Sequence, residues 1–276
     1  GVFYREQIEF PFFLHYLKGK GDGKFPRAWA FQTGLNEWRK FDAWPPRNTT
    51  AKPLWLDARG KLSFEQPGAA AFDEYISDPQ KPVPYIGHIV TGMRADYMVE
   101  DQRFAAARPD VLVYQSEVLE SDLTVAGPVK ARLYVSTTGS DSDFIVKLID
   151  VYPPDVNEPE PNPTGVRLAG YQQLIRGEVM RGKFRNSFER PAPFVPGEVT
   201  PVRFALPDTS HTFRVGHRIM VQVQSSWFPL VDRNPQTFVD IYHAKDSDFR
   251  SATHRVLRTP GNPSSLKVTV VRGQLP

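Results

Sequence analysis

The sequence predicts a mainly β protein: a jelly-roll β-sandwich preceded by a short stretch of different character. Three observations lead there. From Lys52 onward short segments of alternating apolar residues follow one another, separated by Pro, Gly, Asn and Asp. Proline (26) and glycine (19) are spread along the whole chain and interrupt any long helix. The 276 residues, 40% of them hydrophobic, suffice for a large core, and two sheets with long connections use about 220 residues naturally.

Taken in order, "YREQIEFPFFLHYLKGKG" spaces Ile8, Phe12, Leu14, His15 and Leu17 near helical period, with Gly19 and Gly21 as stops. Pro11 would sit inside that helix, so a kink or a start near Pro11 is expected. "FPRAWAFQTG" reads as a buried strand ending at Gly34, and "LNEWRKFDAWPP" closes the section on the stiff Pro45–Pro46 pair. One helix and one strand do not make a domain, so residues 1–46 read as the tail of something larger. Within 47–276, "KARLYVST" puts Ala131, Leu133 and Val135 on one face. "DFIVKLIDVYP" is apolar on both faces, as a covered central strand would be. "TPVRFALP" aligns Val202, Phe204 and Leu206, and "SLKVTVV" aligns Leu266, Val268 and Val270. The acidic, proline-rich segment 153–165 is a surface loop, and no internal repeat is present.

Composition narrows the function. Without cysteine there are no disulfides, thiolate catalysis or Cys-based metal sites. A formal charge of +3, with no Lys/Arg run beyond two, makes neither nucleic acid nor a membrane surface the expected partner. No apolar run approaches the roughly 18 residues needed to span a bilayer. The chain starts at Gly1 rather than Met, which reads as a cut.

"GHRIMVQVQSSWFPLVDRNP" (216–235) holds His217, Ser225, Ser226 and Asp232, the side-chain types of a serine hydrolase triad. Period two instead makes it a strand with His217, Ile219, Val221, Val223 and Ser225 on an inner face. His217 and Ser226 would then lie roughly 30 Å apart, and no serine stands in a G-x-S-x-G elbow. Asp232 and Arg233 are expected to form a turn or a salt bridge. The six histidines (His15, His88, His211, His217, His243 and His254) lack metal-ligand spacing, so hydrogen-bonded structural roles are expected. Asp141 and Asp143 alternate as calcium ligands can, against a reading in which they cap backbone N–H groups. Glu158 and Glu160 lie in the proline-rich loop, where exposed carboxylates keep ordinary pKa values. The loop-like "GHIVTGMRADYM" (87–98) offers Met93, Tyr97 and Met98, adaptable apolar groups suited to a ligand pocket or to core packing.

Four long motifs carry a resemblance: "TGLNEWRKFDAWPP", "MVEDQRFAAARPDVLVYQSEVLESDLTVAGPV", "GSDSDFIVKLIDVYP" and "HTFRVGHRIMVQVQSSWFPLVDRNPQT". In this order they are similar to the C-terminal part of the α-amino-acid ester hydrolases. That superfamily of serine hydrolases also holds glutaryl acylases, cocaine esterase and X-Pro dipeptidyl-peptidases. The resemblance implies a galactose-binding-like jelly roll at 47–276 and, at 1–46, a remnant of the end of an α/β-hydrolase domain. It implies a non-catalytic role: the sandwich packs on catalytic and helical cap domains and shapes the site entrance, and the loop of Met93, Tyr97 and Met98 falls near the domain junction, where these residues are expected to form one wall of the acyl pocket. The Ser, Asp and His of the triad would lie upstream of Gly1, so no catalytic residue is carried onto this sequence and the chain alone is expected to be inactive. Neither metal nor cofactor is implied. Periplasmic or secreted location and homo-oligomers are common in the family. The rival from another class is a carbohydrate-binding sandwich or an adaptor.

Overall fold

A π-helical turn, Tyr4–Glu9, runs directly into α1 (Phe10–Lys18) in the computed structural model, which describes residues 1–68, 71–163 and 165–274. Pro11 falls at the start of α1, where the bonding changes from π to α, and Gly19 ends the helix at φ 64°. The expected change at Pro11 is therefore a junction between two helical geometries.

Where the sequence suggested one strand, the structure has two: β1 (Ala28–Gln32) pairs with β2 (Glu37–Phe41) as a hairpin. The polar alternation of Glu37, Arg39 and Lys40 hid β2, because this sheet buries little of either face. The hairpin is tied to the rest of the chain by Thr33, whose N–H donates to the Ser210 carbonyl (3.0 Å) and whose carbonyl accepts from Thr212 N–H (2.9 Å). Gly34, at φ 84°, allows that approach, since a Cβ there would stand 2.0 Å from the Thr212 carbonyl oxygen.

The sandwich begins with β3 (Thr49–Leu56), β4 (Leu62–Ser63) and β5 (Phe72–Ser77). A strap spanning 83–106 follows and ends in α2 (Arg103–Ala106). Then come β6 (Leu112–Gln115), β7 (Leu123–Thr137), β8 (Asp143–Val151), β9 (Gln172–Arg181) and β10 (Thr200–Phe213). The chain closes with β11 (Arg218–Gln224), β12 (Ala252–Thr259), β13 (Asn262–Pro263) and β14 (Ser265–Val271). One sheet runs β13-β12-β7-β14-β3-β4, with β10 on the other edge of β7 and β5 beside β12. The second runs β6-β11-β8-β9.

The main core lies between the sheets. Leu133, Val135, Val202, Leu206, Leu266 and Val268 come from the first, and Phe144, Val146, Leu148, Val221 and Val223 from the second. β8 is covered on both sides, as its sequence suggests. β11 differs from expectation. Met220, Gln222 and Gln224, which the same period of two turns to the opposite face, are as buried as Ile219, Val221 and Val223, because the strap and the segment around Trp227 cover the outer side of this sheet. Within the loop 153–165, Thr164 lies outside the described residues.

Candidate functional site

The strap is held by backbone and core together. Tyr85 N–H donates to the Phe228 carbonyl and Phe228 N–H to that of Val83, both at 2.9 Å. Ser226 Oγ accepts from Val83 N–H at 2.8 Å. Beneath, Tyr85 and Ile86 pack with Ile145 and Trp227 as a second small core. Above, a surface hollow of about 470 Å³ opens between Tyr85, Ile86, Ile89, Met93, Phe228 and neighbours. Ile89 is fully exposed and Met93 largely so. The expected trio is divided. Met93 lines the hollow. Tyr97 lies below it, edge-on to Trp227 at 5.8 Å and 5.5 Å from Tyr85. Met98 is half exposed on the helical turn Ala95–Val99 that follows.

Under the strap lies a residue that the sequence reading did not single out. Lys147 of β8 is fully buried; its Nζ donates to Gln102 Oε1 at 2.9 Å and stands 5.1 Å from the Trp227 ring centroid. Burial pushes its pKa down to about 7, with no charged group contributing to the shift. A lone lysine inside "DFIVKLIDVYP", a run read as covered on both faces, was the available signal.

The histidines are placed by hydrogen bonds. Asp150 of β8 takes both His211 Nε2 (3.1 Å) and His217 Nδ1 (2.8 Å), while His211 Nδ1 meets Thr33 Oγ1 at 2.8 Å. Burial raises the Asp150 pKa, but the bonds from the two histidines outweigh it and hold the carboxyl below its ordinary value. This cluster clamps the hairpin to the sandwich. Ser225 Oγ bonds the Tyr75 hydroxyl at 2.6 Å, so both serines of the 216–235 stretch are structural. A different Ser–His pair forms between Ser142 Oγ and His254 Nε2, 3.3 Å apart. Both residues are fully buried, and among the described residues His254 Nδ1 has no partner where a triad would place an acid. Burial holds His254 neutral, its pKa near 3.

The remaining candidates resolve into loop chemistry. Asp141 Oδ1 accepts from the N–H groups of Ser142 and Lys183, and burial, with the Asp143 charge, raises its pKa to about 6. Asp143 binds Arg181 at 3.2 Å and Asn234 Nδ2 at 2.8 Å. Among the described residues, no group of three His, Asp or Glu is placed to hold a metal ion. Glu158 departs from expectation: N–H groups of Leu168 and Ala169 donate to it at 3.0 Å and lower its pKa. Among the described residues Arg233 pairs with no carboxylate; it donates to the Pro79 carbonyl (3.0 Å) and lies over Phe228 and Phe249.

Comparison with known proteins follows the same lines. The family of X-Pro dipeptidyl-peptidase C-terminal non-catalytic domains matches residues 19–267. Cocaine esterase of Rhodococcus sp. (strain MB1 Bresler) is 34% identical over 272 residues, 95% of this chain and 45% of that protein. Two solved structures superpose over 98% of this chain and 45% of theirs. An aminopeptidase from a marine sediment Thaumarchaeota archaeon does so with 46% identity and a TM-score of 0.90. An α-amino acid ester hydrolase does so with 41% identity and a TM-score of 0.88. The chain thus spans about half the length of these relatives.

Proposed function

The chain belongs to the family of X-Pro dipeptidyl-peptidase C-terminal non-catalytic domains, and from that premise we propose that it serves a serine hydrolase by packing on the catalytic unit and shaping the entrance to its site. The parent cleaves or transfers acyl groups of esters or amides. Residues 1–46 continue from the end of its α/β-hydrolase unit, and 47–276 form the sandwich.

The observation that carries this reading is the strap. Its base is fixed by Tyr85, Ile86 and Trp227, yet it presents Ile89 and Met93 to solvent around an open apolar hollow. A rigid base with exposed apolar groups suits a surface completed by another body. Met93 supplies adaptable apolar area to an acyl group, Tyr97 supports that wall from beneath, and Met98 extends its rim.

Substrate selectivity tests this. In the hydrolase carrying this sandwich, Met93→Ala should shift kcat/KM between aromatic and small aliphatic acyl esters by roughly 1–3 kcal/mol, with Tm unchanged. Tyr97→Ala should shift the same ratio and also lower Tm, since it removes a ring packed on Trp227. Equal losses for both ester classes in both variants would remove the strap from the site.

A further inference from the structure

The outer face of the eight-stranded sheet carries charge that its own side chains do not neutralise. Antiparallel pairing sets Arg203 of β10 opposite Arg132 of β7, and Lys130 of β7 opposite Lys267 of β14. All four are exposed. Like charges directly opposed across a strand pair destabilise it. Elsewhere the same sheet follows the opposite rule: Arg255 of β12 faces Glu74 of β5 and bonds it at 3.0 Å. Among the described residues, none of the four cations forms an ion pair with a carboxylate. Tyr134, two residues along β7, lies within reach of the same two arginines. Arg132 donates to its hydroxyl, and Arg132 with Arg203 holds the phenol below its ordinary pKa.

An aromatic residue completes the face. From Arg132 the register passes through Ser265 of β14 to Trp55 of β3, so Arg203, Arg132, Ser265 and Trp55 form one row across four strands. Trp55 is half-buried, with Leu54 and Leu56 on either side of it turned into the core. We propose that this face binds an anionic polysaccharide, with Arg132, Arg203, Lys130 and Lys267 meeting its carboxylates and Trp55 stacking on a sugar ring.

Spacing and setting favour this partner. Adjacent strands lie about 4.8 Å apart and alternate residues about 7 Å apart along a strand. The four cations therefore form a compact cell, matched to carboxylates that recur along a chain of sugars. Guanidinium groups bind carboxylates in a bidentate fashion, which suits the Arg pair. Non-specific nucleic-acid binding uses a cationic groove that tracks many nucleotides, whereas these cations occupy two short rows on a sheet face. A membrane surface would be met by several large apolar groups at the contact, and here Trp55 and Tyr134 stand among Pro201, Ala205, Pro53 and Ser265.

Calorimetric titration of this chain with polygalacturonate tests the assignment, with neutral galactan, duplex DNA and phosphatidylglycerol vesicles measured alongside at low and high ionic strength. The double variants are Arg132→Gln with Arg203→Gln, and Lys130→Gln with Lys267→Gln. Both should melt at or above the parent temperature, because each removes an opposed like-charge pair. Expected are binding of polygalacturonate and not of galactan, weakening with salt, and a loss of roughly tenfold in each double variant. Trp55 fluorescence should change on binding. No binding of polygalacturonate, unchanged affinity in either folded double variant, or tighter binding of DNA or vesicles under the same conditions would each overturn the proposal.

Discussion

Lys147 is an ammonium group inside the protein that meets one side-chain acceptor, Gln102 Oε1. Its pKa falls from 10.5 to about 7 on burial. Between those values the folded chain holds it neutral while the unfolded chain keeps it protonated. The unfolded state then binds more protons, so stability rises with pH across that window. Below about 7 both states are protonated, and the cost of burying the charge stands in full. Lys147→Met should therefore abolish a slope of up to about 1.4 kcal/mol per pH unit in urea unfolding free energies. The variant should be the more stable protein below pH 7. Near pH 10 the order should narrow or reverse, since the Gln102 acceptor then lacks its donor. Parallel pH profiles for the two proteins would show that the lysine reaches water.

The hairpin and the strap are two elements attached to the sandwich by different means. Hydrogen bonds from Gln32 and Thr33 to the 210–212 stretch hold the hairpin, with Asp150 and His211 behind them. Its turn depends on Gly34, so Gly34→Val brings both a disallowed φ and a clash with the Thr212 carbonyl. The expected loss is roughly 2–4 kcal/mol, with faster amide exchange in residues 28–41 than in β7 and β8. Uniform loosening across the sandwich would instead make the hairpin part of one cooperative unit. The strap relies on apolar packing around Trp227 and on the backbone ladder between Val83–Tyr85 and Phe228, which is why it can expose Ile89 and Met93 and keep its shape.

For the whole molecule, the uneven feature is the N-terminal segment. Phe3, Tyr4, Phe10, Phe12, Phe13, Tyr16 and Leu17 are all at least two-fifths exposed, while in the described strands of the sandwich only Phe72 and Ile76 are comparably exposed large apolar groups. At roughly 25 cal/mol per Å² of apolar area, covering that helix is worth several kcal/mol. The relatives compared above are about twice this length, and a catalytic unit packed there would provide the cover. Alone, the chain should self-associate: sedimentation velocity should show a weight-average mass rising with concentration, and Phe10→Ser with Phe13→Ser should restore a monomer. A concentration-independent monomer would mean that this surface has no appetite for a partner.

The sandwich was legible because its signal is local. Period-two alternation in 130–137, 200–206 and 265–271, and a doubly apolar run at 143–151, are consequences of which side of a strand each residue occupies. The superfamily was legible because four long motifs keep their order along the chain. The pairings themselves were not. Asp150 lies 61 and 67 residues from the two histidines it joins, and Ser142 lies 112 from His254. The cationic face exists because β10, β7 and β14 align in one register, and Lys147 is buried because a strap from elsewhere in the chain closes over it. By itself the sequence determined which residues alternate, and hence the fold class. Which charges meet was decided by tertiary structure, since strand pairing joins positions whose separation along the chain carries no periodic trace.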